Sequence, residues 1–157
     1  MNRTLQEVTQ YLHDHIPLTR HLGVEVVGYD DSLLRFKAPL APNVNHRETV
    51  FGGSISSLGI LAGWTFLYLK LTELGLTFRL VIQSSSTDFQ LPIEGDFEVI
   101  CFSPEKEEWD QFTLALRRKG KGRVKIHTEI HFDGRIAATQ DGIYVAVALP
   151  DNLTSRS

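Results

Sequence analysis

The apolar positions of this chain change period along its length, and each change marks an element. Leu5, Val8, Tyr11 and Leu12 recur at helical spacing, which predicts a short amphipathic helix over Thr4–His15, ended by Pro17. Leu22–Tyr29 and Leu33–Leu40 are short runs rich in apolar and β-branched residues. Asp30-Asp31-Ser32 between them is turn material, so the pair reads as a hairpin. From about Gly52 to Leu74 the chain is apolar nearly all round. That predicts one long helix buried on most sides, with Gly75 at its C-terminal cap. Leu80–Leu91 and Phe97–Phe102 read as strands. Trp109, Phe112 and Leu116 suit either a short helix over Glu107–Leu116 or a strand extension, and Gly120 and Gly122 punctuate a turn. Val124–Phe132 and Arg135–Leu149 then form a hairpin across Asp133-Gly134. The order is helix, two strands, long helix, four strands. It implies an α+β layout in which one antiparallel sheet wraps around a central helix.

Composition narrows the class without naming it. The 157 residues suffice for one domain, read as 1–150 with a frayed tail over 151–157. A 42% hydrophobic and 22% charged content is ordinary for a globular protein, and a formal charge of −3 gives no general attraction to nucleic acid. Cys101 is the only cysteine, so no intramolecular disulfide forms, which fits a cytoplasmic location. The first residues carry no signal pattern. Thr49–Leu69 is uncharged and long enough to span a membrane, but Ser54, Ser56, Ser57, Gly59, Gly63 and Thr65 dilute it. A buried helix is the expected reading.

The chemistry concentrates at the entry to that helix, Asn43-Val-Asn45-His46-Arg-Glu-Thr-Val-Phe51-Gly52-Gly53-Ser54. The first N–H groups of a helix lack internal partners, and the macrodipole makes that end positive. Two glycines let a ligand come close to them. Asn45 with the Gly52 and Gly53 backbone is therefore a candidate oxyanion site, unless Asn45 merely braces the loop or caps the helix. No Asp or Glu follows in the helix until Glu73. Ser54 and Ser57 share a helix face, and neither sits in a Gly-x-Ser-x-Gly elbow, so close packing is their simpler role. Ser84, Ser86 and Asp88 alternate with Ser85 and Thr87, forming either a solvated strand face or the polar wall of a dimer cleft. His127 and His131 would lie about 13 Å apart on an extended strand, too far for one metal ion. The run Arg117-Arg118-Lys119-Gly-Lys121-Gly-Arg123-Val-Lys125 is either a solvated surface or a dock for an acidic partner.

The spacing Asn45…Phe51-Gly52-Gly53 resembles that of the hot-dog-fold acyl-thioester enzymes. In their thioesterase branch the motif reads Asn-x-x-Gly-x-x-His-Gly-Gly; here Glu48 stands at the first glycine and Phe51 at the histidine. The longer string Asn45…Thr49-Val-Phe51-Gly-Gly-Ser54…Leu61-Ala-Gly63-Trp64 is similar to one subgroup, as are Tyr68 and Asp141-Gly142-Ile-Tyr144-Val145. That subgroup contains the C-terminal domain of YiiD-type acetyltransferase fusions and stand-alone malonyl-acyl-carrier-protein decarboxylases. The resemblance runs from about Leu5 to Leu149.

What the resemblance implies is specific. It implies a hot-dog fold in a homodimer or dimer of dimers, with sheets joined edge to edge and the thioester held where one subunit's helix N-terminus meets the other. Asn45, Gly52 and Gly53 fall at catalytic positions; from the residues nearby, Ser54, Ser57, His46 or water could supply a proton to the product. Phe51, Ser57, Ser84 and Ser86 are the candidate substrate contacts. Arg117, Arg118, Lys121 and Arg123 are the candidate contacts to an acyl carrier protein or coenzyme A. The thioesterases carry a helix carboxylate nine residues after the histidine position, which here is Ile60. Hydrolysis needs an activated water or nucleophile, whereas decarboxylation of a malonyl thioester needs chiefly a stabilised enolate oxygen. Decarboxylation is therefore the first expectation, with thioester hydrolysis and a non-catalytic binding module as alternatives. No metal or cofactor is expected, because the phosphopantetheine arrives with the substrate.

Overall fold

The computed structural model describes residues 2–150; the tail expected over 151–157 lies outside them. Helix α1 (Leu5–His15) opens on Thr4, whose hydroxyl accepts from the Glu7 N–H while the Glu7 carboxylate accepts from the Thr4 N–H. This reciprocal pair satisfies two otherwise free donors. Pro17 ends α1 and also starts a second helix, α2 (Leu18–Leu22), because its φ of −54° suits a helical turn. The expected strand start at Leu22 is thereby displaced. Gly23 turns the chain, and β1 (Glu25–Tyr29) begins two residues later.

The remaining elements are β2 (Leu33–Ala38), α3 (Gly52–Glu73), β3 (Phe78–Phe89), β4 (Phe97–Phe102), α4 (Lys106–Lys119), β5 (Lys121–Phe132) and β6 (Arg135–Ala148). The segment before β5 is a helix rather than a strand extension. Phe112 and Leu116 are buried, Glu107 and Glu108 lie in its first turn, and Arg117, Arg118 and Lys119 lie in its last. Those charges complement the helix dipole. Gly122 belongs to β5 rather than to the turn; Phe112 occupies the space a side chain there would need. The β5–β6 turn is Asp133-Gly134, both with positive φ (52° and 73°), as a two-residue hairpin requires. All strand pairs are antiparallel and form one six-stranded sheet in the order β1-β2-β4-β5-β6-β3. Its concave face wraps α3.

Helix α3 is long and apolar enough to cross a membrane, but 61% of its most apolar window is buried within the fold. Its seat on the sheet is unusually close at two points. Gln140 Nε2 donates to the Ser56 carbonyl at 3.0 Å, and the Tyr144 hydroxyl donates to the Ile60 carbonyl at 2.7 Å. Gly59 and Gly63 make this approach possible, because a Cβ at either would overlap the Gln140 amide or the Tyr144 hydroxyl. Burial holds the Tyr144 phenol well above its ordinary range, so it stays a neutral donor.

The two sheet edges differ. On the β1 edge, the Val26 N–H donates to Thr9 Oγ1, and His13 Nε2 lies 2.9 Å from the Val24 carbonyl. Four residues of helix rise about 6 Å and two residues of strand about 6.7 Å, so α1 can serve successive edge groups with one face. The β3 edge has no neighbour among the described residues.

The close seat yields a stability test. Gly63→Ala is expected to cost about 2–4 kcal/mol, combining overpacking with a displaced buried hydrogen bond. Urea unfolding checks this. In a Tyr144→Phe background the same change is expected to cost less but still to destabilise, since the hydroxyl is gone while the ring carbons Cζ and Cε2 remain 2.6 and 2.8 Å from the new methyl position. Equal cost in both backgrounds would remove the hydroxyl from the explanation.

Candidate functional site

The loop before α3 is built around the Asn45 side chain. Val44 and Val50 form an isolated antiparallel bridge, and the Phe51 N–H donates to the Asn43 carbonyl at 2.7 Å. The chain between them closes on itself. Asn45 Oδ1 accepts from the N–H groups of Arg47 (2.8 Å) and Thr49 (3.2 Å), and Asn45 Nδ2 donates to Thr49 Oγ1 at 2.9 Å. Asn45 is thus a loop organiser, and it does not cap α3, which has no side-chain cap. Its amide has two N–H donors, and Thr49 takes one. Glu48 holds φ at +63°, the left-handed region, at the position where the thioesterase motif places glycine.

The base of this loop is pinned by Asn43, which the sequence reading passed over. It is 2% exposed, and its Nδ2 donates to the Leu22 and Pro39 carbonyls at 2.9 and 2.8 Å. An Asn directly after a proline, with no apolar periodicity around it, was the available signal.

At the start of α3 the Ser54 and Ile55 N–H groups return to the Phe51 carbonyl. The Gly52 and Gly53 N–H groups have no acceptor among the described residues. The Phe51 ring lies against Gly53 and the Phe89 ring near Gly52; both rings are largely solvent-facing, at 57% and 56% exposure. The helix start that carries these two donors therefore has an aromatic ring beside each glycine. Phe89, at the end of β3, was not singled out from sequence because strand alternation alone does not locate a helix terminus.

One face of α3 carries Gly53, Ser57, Ile60 and Trp64, which fall within about 60° of one another at 100° per residue. Along it runs a cleft of about 250 Å³. Leu18 and Leu22 of α2 form one wall, Ile82 of β3 another, and Ile60 and Trp64 the helix side. Trp64 is fixed by an indole N–H donated to the Leu80 carbonyl at 3.1 Å and by stacking on Tyr68 at 5.1 Å. Two hydroxyls line the cleft, and Thr19 already donates to the Ile16 carbonyl. Ser57 has no side-chain partner among the described residues. A larger cleft of about 430 Å³ lies at the far end of α3 beside Arg3 and Glu73, and there Glu73 accepts from the Tyr29 hydroxyl.

Other candidates are not gathered here within one chain. Ser54 is half-buried in the first turn, and His46 is exposed beside Asn45 without a hydrogen bond. A bulge at Gln83 resets the alternation of β3. Ser84 and Ser86 then face outward, Ser86 opposite Asp141, whose carboxylate is 3.0 Å from His127 Nδ1 on the outer sheet face. Thr87 is the inward residue, accepting from Gln140 Nε2 at 3.0 Å and from the Ser56 hydroxyl at 3.3 Å. The cations of the basic run lie at the other end of the sheet. Arg117 and Arg118 end α4, Lys121 pairs with Val147, and Arg123 donates to Gln83 Oε1 at 3.3 Å. Phe89, by contrast, is level with Ile130 through Ala138, about 30 Å along β5 from Lys121.

Residues 5–148 match the model of the family YiiD_C, described as "Putative thioesterase (yiiD_Cterm)". Solved structures are similar throughout. A Chlorobaculum tepidum protein of unknown function is 29% identical with a TM-score of 0.86, over 90% of this chain and 92% of that one. A "putative thioesterase" from Shewanella oneidensis is 28% identical with a TM-score of 0.82, over 94% and 99%. A mutant of a Pseudomonas aeruginosa thioesterase shares the fold at 12% identity and a TM-score of 0.75, over 95% and 97%.

The left-handed Glu48 gives a direct test of the loop. Glu48→Gly relieves a backbone penalty of roughly 1–2 kcal/mol and adds about 0.5–1 kcal/mol of unfolded-state entropy. A net gain of up to about 1 kcal/mol is expected in urea unfolding, at unchanged slope. A loss of stability would show that the Glu48 side chain contributes more than its backbone costs.

Proposed function

Since the chain belongs to the YiiD_C family of putative thioesterases and has the hot-dog fold, we propose that it works on an acyl thioester held at the N-terminus of α3, and that it decarboxylates a malonyl thioester. The observation that carries this reading is the helix face itself. Two free N–H donors, at Gly52 and Gly53, stand at the start of the helix, one turn before the apolar cleft that Ser57 and Ile60 line, and Ile60 stands where the thioesterase motif puts its carboxylate. Such a site polarises a carbonyl without supplying a base.

The step follows from that. With the thioester oxygen at the Gly52 and Gly53 N–H groups and the remaining Asn45 Nδ2–H, the carbon–carbon bond to the carboxylate breaks. Its electron pair moves into the thioester as an enolate, and CO₂ leaves. A preorganised donor of this kind is worth roughly 3–4 kcal/mol. The apolar wall solvates the departing carboxylate poorly while the oxyanion keeps its donors. The enolate carbon then takes a proton, with Ser57 the hydroxyl positioned to relay it from solvent. The acetyl thioester remains on its carrier.

Hydrolysis is the second reading, favoured by the family description and by the thioesterases among the similar structures. It requires a base from outside this helix face. Incubation with a malonyl thioester separates the two by product mass: an acetyl thioester for decarboxylation, a free thiol for hydrolysis.

The partner half of the reading is a second copy of the chain along β3. Because α1 occupies the β1 edge, β3 is the edge left to pair. A two-fold at the middle of β3 sets the Phe78 end of one protomer beside the Phe89 end of the other. The basic run of one protomer then flanks the helix N-terminus of its partner. An acyl carrier protein, acidic and bearing the phosphopantetheine arm, suits that surface.

Asn45→Asp keeps the acceptor that organises the loop and removes the donor. Turnover is expected to fall by roughly 10²–10³ with folding intact, as judged by steady-state rates and thermal unfolding. Near-normal turnover would take Asn45 out of the chemistry.

Mixed dimers test the partner reading. One protomer carries Asn45→Asp, and the other carries Glu at Arg117, Arg118, Lys121 and Arg123. If the cations serve the partner's site, the mixed dimer is expected to keep about half the turnover at the unmodified Michaelis constant for carrier protein. If they serve their own site, activity is lost at low substrate. Added salt is expected to weaken carrier-protein use and leave a pantetheine thioester unaffected, because screening acts on the protein surface.

A further inference from the structure

We infer that Thr49 is a positioning residue for the proposed reaction: its hydroxyl takes one Nδ2–H of Asn45 and so fixes the direction of the other, the one that reaches the thioester oxygen. This rests on the reading above, in which Asn45 is a donor to that oxygen.

The count of hydrogen bonds carries the inference. Asn45 Oδ1 has two lone pairs, and both are taken, by the Arg47 N–H at 2.8 Å and the Thr49 N–H at 3.2 Å. Backbone groups therefore fix the oxygen end of the amide. The end that meets Thr49 Oγ1 at 2.9 Å is the NH₂ group, so Thr49 is the acceptor of that pair. An amide is planar. Two contacts to its oxygen and one to its nitrogen define the plane, and the last N–H has one direction left. Thr49 Oγ1 is the only acceptor for Nδ2 among the described residues.

The rest of the loop does not need this hydroxyl. The Thr49 N–H reaches Oδ1, and the Thr49 carbonyl accepts the Asn45 N–H at 2.8 Å. Both contacts are made by backbone, whichever side chain stands at position 49. What the hydroxyl adds is the aim of the amide. A β-branched side chain is stiff at χ1, so threonine holds the acceptor more firmly than serine. Aim matters at a reacting centre, where a displacement of about 1 Å can cost roughly 10²-fold in rate. Without the hydroxyl, Oδ1 keeps its partners, but the amide rocks about them and water takes the vacated hydrogen bond without fixing it.

The test compares Thr49→Val, which keeps the shape and deletes the acceptor, with Thr49→Ser, which keeps the acceptor. Thermal unfolding checks each fold, and Thr49→Ala serves if the valine variant does not fold. With malonyl-pantetheine, Thr49→Val is expected to lower kcat by roughly 10–10² and to leave KM within about twofold, because the donor acts on charge that develops in the transition state. Thr49→Ser is expected to restore most of that kcat. In an Asn45→Asp background, Thr49→Val is expected to cost no further kcat, since the N–H it aims is already gone. By NMR, one Asn45 Nδ2 proton is expected to exchange slowly with solvent in the unmodified protein and in Thr49→Ser, and quickly in Thr49→Val.

Equal losses in the valine and serine variants, a loss confined to KM, or a full further loss in the Asn45→Asp background would overturn the inference. Each would describe a residue that holds the loop or acts by itself. Unchanged exchange of the Asn45 amide in Thr49→Val would overturn it too. If the unmodified protein releases a free thiol instead of the acetyl thioester, the decarboxylation reading falls, and the same kcat comparison still tests Thr49. If it turns over no malonyl thioester, the reading beneath falls, and the amide exchange alone decides whether Thr49 sets the amide.

Discussion

Everything at this site depends on how closely α3 lies against its sheet. Gln140 and Tyr144 reach from β6 to the carbonyls of Ser56 and Ile60, and only glycine at positions 59 and 63 leaves room for them. These are buried polar contacts with neutral donors, so leaving them unmade would be costly. They set the rotation of the helix about its axis. With the Gly59 and Gly63 side turned to the sheet, the Gly53, Ser57, Ile60 and Trp64 side must face α2 and β3. The position of the cleft is a consequence of that rotation.

The same economy governs the sheet edges. An open strand edge offers unpaired backbone groups, and proteins usually cover it. Here α1 covers β1 with two side chains, Thr9 and His13, spaced to match the strand. The long β3 has no neighbour on its outer edge among the described residues. It also bulges at Gln83, so the strand offers one inward pattern before the bulge and another after it. Ile82 can then wall the cleft while Thr87, five residues on, joins the Gln140 network.

The entry loop combines rigidity with an unspent donor. Asn45 closes the turn with three hydrogen bonds and keeps one N–H in reserve. Glu48 tolerates a left-handed backbone within it. The charge stabilisation proposed for this site would benefit from donors already in place, because none must be reorganised as the charge appears. The loop and the helix terminus supply such donors from backbone and amide groups alone, with no ionised residue among them.

Much of this was legible in the chain itself. The long apolar stretch defined α3 to within a residue, Gly52-Gly53 marked its start, and Asp133-Gly134 defined its hairpin, because each rests on local backbone chemistry. Pro17 was read as an end when it is also a beginning, since a proline's φ serves both. Ser84 and Ser86 had their alternation read correctly, but a bulge cannot be seen in a pattern of serines, and so their face was undetermined. The basic run was plain as charge; that it lies some 30 Å from the donors in its own chain followed only from the strand order. Periodicity records that a face is buried and not what buries it. The pairing of Gly59 with Gln140, of Gly63 with Tyr144 and of Ile60 with α2 joins residues distant in sequence, and only tertiary structure brings them together.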